Sequence, residues 1–172
     1  MGRRSVRVLG VAAMIAAATA TTAYQGVAHG EPVTAPQVPQ VRLVTSAVPT
    51  TPEQCQKGGP AATEPARICD TAGRFLYAVA PSVTRTPVKR ASAFLPQNQN
   101  RWAVTLELAD PDAKAVADLT ARNVGKRIAI VIGGRVVSAP TVADRITGGR
   151  LLVTGDFDEK SAKDLAHRLQ PS

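Results

Sequence analysis

The sharpest hydrophobic pattern in the chain runs from Arg127 to Phe157. Ile128, Ile130 and Ile132 alternate with Ala129 and Val131, the period of a strand. Gly133-Gly134 then supplies a two-residue connection whose two positions can both take the positive φ of a type I′ turn. Val136 and Val137 begin a return strand. Pro140 is expected to end its pairing, because proline has no N–H to donate. Gly148-Gly149 marks a second turn, and Leu151 to Thr154 reads as a further short strand closed by Gly155.

Helices are expected on either side of this unit. Trp102, Val104, Leu106 and Leu108 share one face of a preceding strand, with Ala103, Thr105 and Glu107 on the other. Asp110 is then placed to cap a helix, with Pro111 at its first position. Ala113, Val116, Ala117, Thr120 and Val124 recur at helical spacing, and Gly125 suits the residue just past the helix end. A last helix follows Asp158, with Ala162, Leu165, Ala166 and Leu169 as its apolar stripe. Strand, helix, hairpin, strand, helix predicts an α+β fold. The expectation is a two-layer sandwich of mostly antiparallel sheet with the helices packed on one face.

The first half is less regular. Arg3, Arg4 and Arg7 precede the apolar run Val8 to Ala20, and Ala28-His29-Gly30 offers a small-x-small cleavage site. Residues 1–30 are therefore expected to be an export signal, with Thr21-Thr22-Ala23 as the alternative site and an uncleaved anchor as the alternative role. No other apolar stretch is long enough to cross a bilayer. The mature chain is thus expected in the extracytoplasmic envelope or secreted. Residues 31–51, rich in Pro, Val, Thr and Gln, read as a flexible leader acting as a spacer, and 52–172 as the domain. Phe75 to Ala80 alternates enough for a strand, whereas Val88 to Phe94 fits a strand or a helical turn.

Composition narrows the function classes. The formal net charge is +8 over 172 residues, and removing Arg3, Arg4 and Arg7 leaves about +5. The basic residues are dispersed rather than striped with aromatics, which argues against nucleic acid. Cys55 and Cys69 are the only cysteines, so an exported chain has one intramolecular pairing to make. A structural disulfide there would contribute about 3 kcal/mol. A metal site would want further ligands, and a catalytic redox pair would want CxxC spacing.

Candidate chemistry is thin. Ser138 lies in no G-x-S-x-G turn, and His167 is the only histidine beyond the expected signal. Asp110 with Asp112, and Asp156 with Asp158 and Glu159, sit where helices are expected to start, so capping explains them. Gly125-Lys126-Arg127 lacks the upstream glycine and following Ser/Thr of a phosphate loop. Trp102 shares its face with core residues. No catalytic residue, cofactor or metal is therefore assigned, and the chain is read as a non-enzyme.

A run of motifs resembles the head of the first periplasmic domain of SecD and SecDF, the membrane protein that assists protein export. They are WAVTLEL at 102–108, LTARNVG at 119–125, KRIAIVI at 126–132, GRVVSAP at 134–140, ITGG at 146–149, TGDF at 154–157 and A-x-x-L-A at 162–166. Departures fall at Gly133, where the family usually has Asp, and at Ala143 and Asp144, where it usually has Asn and Glu. Leu151-Leu152 is bulkier than the family's small residues. The transmembrane helices of that family have no counterpart here, so proton-driven export is not carried over. The resemblance implies an exported binding module whose partner is polypeptide or an envelope protein, such as translocation machinery. The alternative is a structural envelope domain facing anionic wall polymers. The expected binding loop is Pro140, Thr141, Val142, Ala143, Asp144, Arg145, Ile146, Gly148 and Gly149. An open sheet edge that accepts an extended chain is the other feature of this kind.

Overall fold

The computed structural model describes residues 37–55 and 61–170. The expected export signal and the first residues of the expected leader lie outside the described residues. The elements are β1 (Gln40–Pro49), a 3-10 turn (Pro52–Gln54), β2 (Ala66–Cys69), β3 (Phe75–Val79), β4 (Arg90–Phe94) and β5 (Trp102–Glu107). They continue with α1 (Asp110–Ala121), β6 (Ile128–Ile132), β7 (Arg135–Ser138), β8 (Arg150–Phe157) and α2 (Glu159–Leu169). The strands form a five-stranded sheet in the order β2-β3-β1-β6-β7 and a three-stranded sheet in the order β4-β5-β8. All named strand pairs are antiparallel. With the two helices this is the α+β sandwich that the patterning predicts.

β6 explains the arrangement. All five of its side chains are buried, because both faces are covered. Ile128, Ile130 and Ile132 enter the main core with Val104, Leu106, Val116, Leu119, Leu151, Val153, Leu165 and Leu169. Ala129 and Val131 enter a second, smaller core with Ile68, Tyr77, Val79 and Val136. Fully burying one isoleucine is worth roughly 1.5–3 kcal/mol, so this short strand anchors both layers.

The β6–β7 hairpin forms as expected, with φ of 58° at Gly133 and 75° at Gly134. The further strand expected at Leu151 to Thr154 also forms, as β8. β8 leaves the hairpin's sheet and pairs with β5, setting Leu151 opposite Leu106 and Val153 opposite Val104. Its alternating apolar face needs a partner of the same period, and β5 has one. β8 also runs on to Phe157 rather than stopping at Gly155. Pro140 does not end the pairing either. It cannot donate, but its carbonyl accepts from Ile128 N–H at 3.0 Å, and Val142 N–H then reaches Lys126 O at 2.8 Å.

The expected leader is corrected more sharply. Residues 40–49 are not a spacer but β1, which lies between β3 and β6. Val41 is fully buried in the main core. The signal was the proline-free run between Pro39 and Pro49, with apolar Val41 and Leu43 flanking Arg42. Val88 to Phe94 resolves as an edge strand, β4.

Arg42 on β1 is also fully buried. Among the described residues it meets no carboxylate. Its guanidinium donates to the carbonyls of Ala61 (2.7 Å), Glu64 (2.8 Å) and Ala80 (3.2 Å) and to Gln40 Oε1 (2.8 Å). Burial pulls its pKa below the ordinary arginine value. Those carbonyls belong partly to the loop between Cys55 and Cys69, which are joined by a disulfide with Cα atoms 5.9 Å apart. At the other end of the described chain, Gln37 N–H donates to Arg168 O at 3.2 Å, which ties the start of the fold to the end of α2.

Replacing Arg42 with Met keeps the stem but strips three carbonyls of their donor. Arg42→Met should lower unfolding free energy by about 2–4 kcal/mol, since each orphaned buried acceptor costs roughly 1–3 kcal/mol less what water recovers. Urea denaturation of the two proteins measures the difference.

Candidate functional site

The local chemistry of the β2–β3 connection builds one wall of a groove. Asp70 follows β2, and its carboxylate accepts from the N–H groups of Arg74 (2.7 Å) and Phe75 (3.2 Å). Gly73 turns the chain at φ 67°, and a Cβ there would lie 2.9 Å from Pro52 Cα. Thr71 N–H then reaches across to Val136 O at 3.2 Å, beside a parallel bridge from Asp70 to Val136. The two outer strands of the five-stranded sheet therefore meet at this end. β7 forms the second wall, with Val136 to Ala139. The third is the end of β8, Gly155 to Phe157, together with Ser161 on α2. The enclosed space is about 420 Å³.

Tyr77 also lines the groove and is buried. Its ring stands 6.3 Å from that of the exposed Phe75, and the Arg127 guanidinium lies 5.5 Å from its centroid. Arg127 also donates to Ala139 O at 3.3 Å. The lining thus mixes aromatic surface, backbone polar groups, short hydroxyls and both signs of charge. Such a surface can hold an extended chain without demanding one sequence.

The expected binding loop is placed differently. Pro140 to Gly149 leaves the groove at Ala139 and runs back along α1 as a strap. Val142 is buried in the main core, and Ile146 packs against it. Ile146 N–H donates to Thr120 Oγ1 at 3.0 Å, and the Arg145 guanidinium stands 3.8 Å from Asp118. Gly149 takes φ 63°, its carbonyl accepts from Leu108 N–H at 2.8 Å, and a Cβ there would lie 2.9 Å from Ala113 Cβ. Pro140, Thr141, Ala143, Asp144, Arg145 and Gly148 remain exposed.

The acids are occupied by structure, though not all as expected. Asp110 is not the cap of α1. Ala109 holds that position without a side-chain bond, and Asp110 pairs with Lys89. Asp112 turns away from its own helix, is buried, and accepts from Arg85 N–H, Thr86 N–H and the Thr86 hydroxyl at 2.7 Å. Gly125 is not the residue past the helix end: Asn123 Nδ2 donates to Leu119 O there, and Gly125 takes φ 81° two residues later. Val124 points to solvent rather than to the core.

Asp158 does cap α2, in a reciprocal box with Ser161. The Ser161 hydroxyl and N–H hold its carboxyl below the usual aspartate range. Trp102 packs against the main core, with Lys163 Nζ 5.5 Å from its ring. Ser138 and Asp156 both line the groove, while His167 lies on α2 among Ser161, Asp164 and Arg168. Among the described residues, no group of three or more His, Cys, Asp or Glu is placed to hold a metal ion. None of their helices is long and apolar enough to cross a membrane.

The family model "SecDF, P1 head subdomain" matches residues 63–171. The protein translocase subunit SecD of Acidaminococcus fermentans is 52% identical over 63 residues, covering 37% of this chain and 15% of that one. The SecD of Aquifex aeolicus is 38% identical over 92 residues, covering 54% and 18%. That of Mycobacterium tuberculosis is 31% identical over 106 residues, covering 59% and 18%. The chain spans less than a fifth of these relatives. Two solved structures share the fold at 24% identity, each over 80% of this chain. One is titled as a membrane component SecDF that enhances protein export (TM-score 0.55, 63% of that chain). The other is titled as SecDF in a super-membrane-facing form (TM-score 0.58, 19% of that chain).

The strap can be tested at its tightest point. Gly149→Ala adds a Cβ that collides with Ala113 on a backbone that disfavours it, and should destabilise the protein by about 1–3 kcal/mol. Pairing it with Ala113→Gly removes the collision but not the backbone strain, so the double variant should recover part of the combined single-variant losses in a thermal melt.

Proposed function

We propose, from the premise that this chain belongs to the SecDF P1 head-subdomain family, that it is an exported, extracytoplasmic module that binds polypeptide in the service of protein export. Family membership supports the export connection. The observation that carries polypeptide binding is the groove between the β2–β3 turn, β7 and the end of β8. It is open and close to the size of ordinary binding clefts, which enclose roughly 300–1,000 Å³. Its walls offer aromatic surface and backbone groups rather than a constellation for chemistry.

Each strand in the groove has a role in this reading. Tyr77 and Phe157 give apolar area at small entropic cost. Ser138, Thr71 and Asp156 offer polar contact without fixing a sequence. Gly155 lacks the side chain that would narrow the space toward the Val137 carbonyl, which a Cβ there would approach to 3.4 Å. The exposed part of the 140–149 strap continues from Ala139, so a chain leaving the groove meets Thr141 next.

Photo-crosslinking decides between groove and strap. A photoreactive side chain at Ser138 should capture an unfolded, translocating polypeptide strongly, one at Thr141 more weakly, and one at Leu152, on the outward face of β8 and outside the groove lining, not at all. Equal capture from all three positions, or none from Ser138 in folded protein, defeats the proposal. Salt-sensitive binding of anionic wall polymer without polypeptide capture would point to the envelope-domain alternative.

A further inference from the structure

We infer that the Cys55–Cys69 disulfide sets the position of the groove's outer wall and makes the groove redox-responsive. This rests on the reading of that groove as the polypeptide site. Cys69 is the last residue of β2, and Asp70, the first residue of the wall, follows it directly. Cys55 closes the 3-10 turn that begins at Pro52, through Cys55 N–H to Pro52 O at 3.2 Å. Pro52 in turn sits against Gly73 at the apex of the wall, where even a methyl group would collide with it. Thr50 N–H bonds to Arg74 O at 2.9 Å just behind. The disulfide therefore ties the wall's first residue to the segment that buttresses its apex.

Among the described residues, the wall is joined to β7 by the short parallel bridge from Asp70 to Val136. Thr71 N–H to Val136 O is the backbone bond that crosses to β7, and at 3.2 Å it is long. Asp70 holds the turn internally through Arg74 and Phe75. With the disulfide broken, Pro52 and the 3-10 turn lose their covalent link to β2. The turn then keeps the short Asp70–Val136 bridge, with its Thr71 N–H to Val136 O bond, against β7 and the Thr50 N–H to Arg74 O bond behind it.

Cys55 is the accessible half, being only partly buried, whereas Cys69 is buried. A thiolate of a C-x-x-C dithiol protein attacks Cys55 Sγ. The S–S bond breaks, and its electron pair goes to Cys69 Sγ, which takes up a proton. The donor's second thiol then attacks the mixed disulfide. It releases the Cys55 thiol and leaves the donor oxidised to its own disulfide.

The test uses the whole chain, oxidised or treated with a phosphine reductant, with mass measurement to confirm the redox state. Amide exchange at Thr71, Arg74 and Phe75 should quicken about tenfold or more on reduction, while Ile130 in β6 holds its rate. Unchanged rates at those three amides in fully reduced protein overturn the inference. Cys55→Ser, at the partly exposed position, should match the reduced form, and if it fails to fold the wild-type comparison stands by itself. Polypeptide capture from a photoprobe at Ser138 separates the two claims. Capture that falls on reduction supports both. Equal capture in both redox states overturns the redox response and leaves polypeptide binding intact. Faster exchange with no capture in either state keeps the disulfide's hold on the wall and defeats polypeptide binding.

Discussion

Burial of β6 on both faces is the constraint from which the rest of the molecule follows. A strand with two dry faces cannot lie at the surface of a single layer, so it requires a core on each side. Its isoleucines are covered by the helices and the three-stranded sheet, while Ala129 and Val131 are covered by the curled β2–β3 side of its own sheet. The small residue at 129 matters here. It lies opposite Arg42 in the register, and that is the face on which the buried guanidinium finds its carbonyls.

The polar interior is organised by the same economy. Pro81 breaks the continuation of β3, yet β1 still needs partners along that edge. Val83 N–H bonds to Val41 O at 2.9 Å, and Thr84 Oγ1 accepts from Val41 N–H while donating to Pro39 O. A side-chain hydroxyl thus replaces a missing backbone group. Asp112 does similar work for the chain at Arg85 and Thr86. Buried polar atoms cost too much to leave alone, and in these places a residue distant in sequence satisfies them.

This distance separates what the sequence discloses from what it hides. The hairpin at Gly133-Gly134, the inward row Val104, Leu106 and Leu108, and the cap and stripe of α2 are local patterns, and each is legible from spacing alone. β1 was hidden because flanking prolines and polar residues resemble a linker; only pairing with β3 and β6 makes it a strand. Asp110 and Asp112 could each cap a helix by local rules, and tertiary partners decided otherwise. The groove was hidden for the same reason. Its walls come from residues 70, 137 and 155, which no window of sequence holds together. Ser138 and Asp156 were visible as polar residues near turns, but nothing local indicated that they face one space.

One contact bears on how such a body is mounted. Gln37, where the described chain enters, bonds to Arg168 near the end of α2, while Ser161 near the start of the same helix borders the groove. Seven residues of helix separate those two positions, about 10 Å of axial rise. The entry and exit of the fold therefore share one pole, and the groove is set off from it along the helix. A body built this way can be spliced into a loop of a larger host without disturbing its interior.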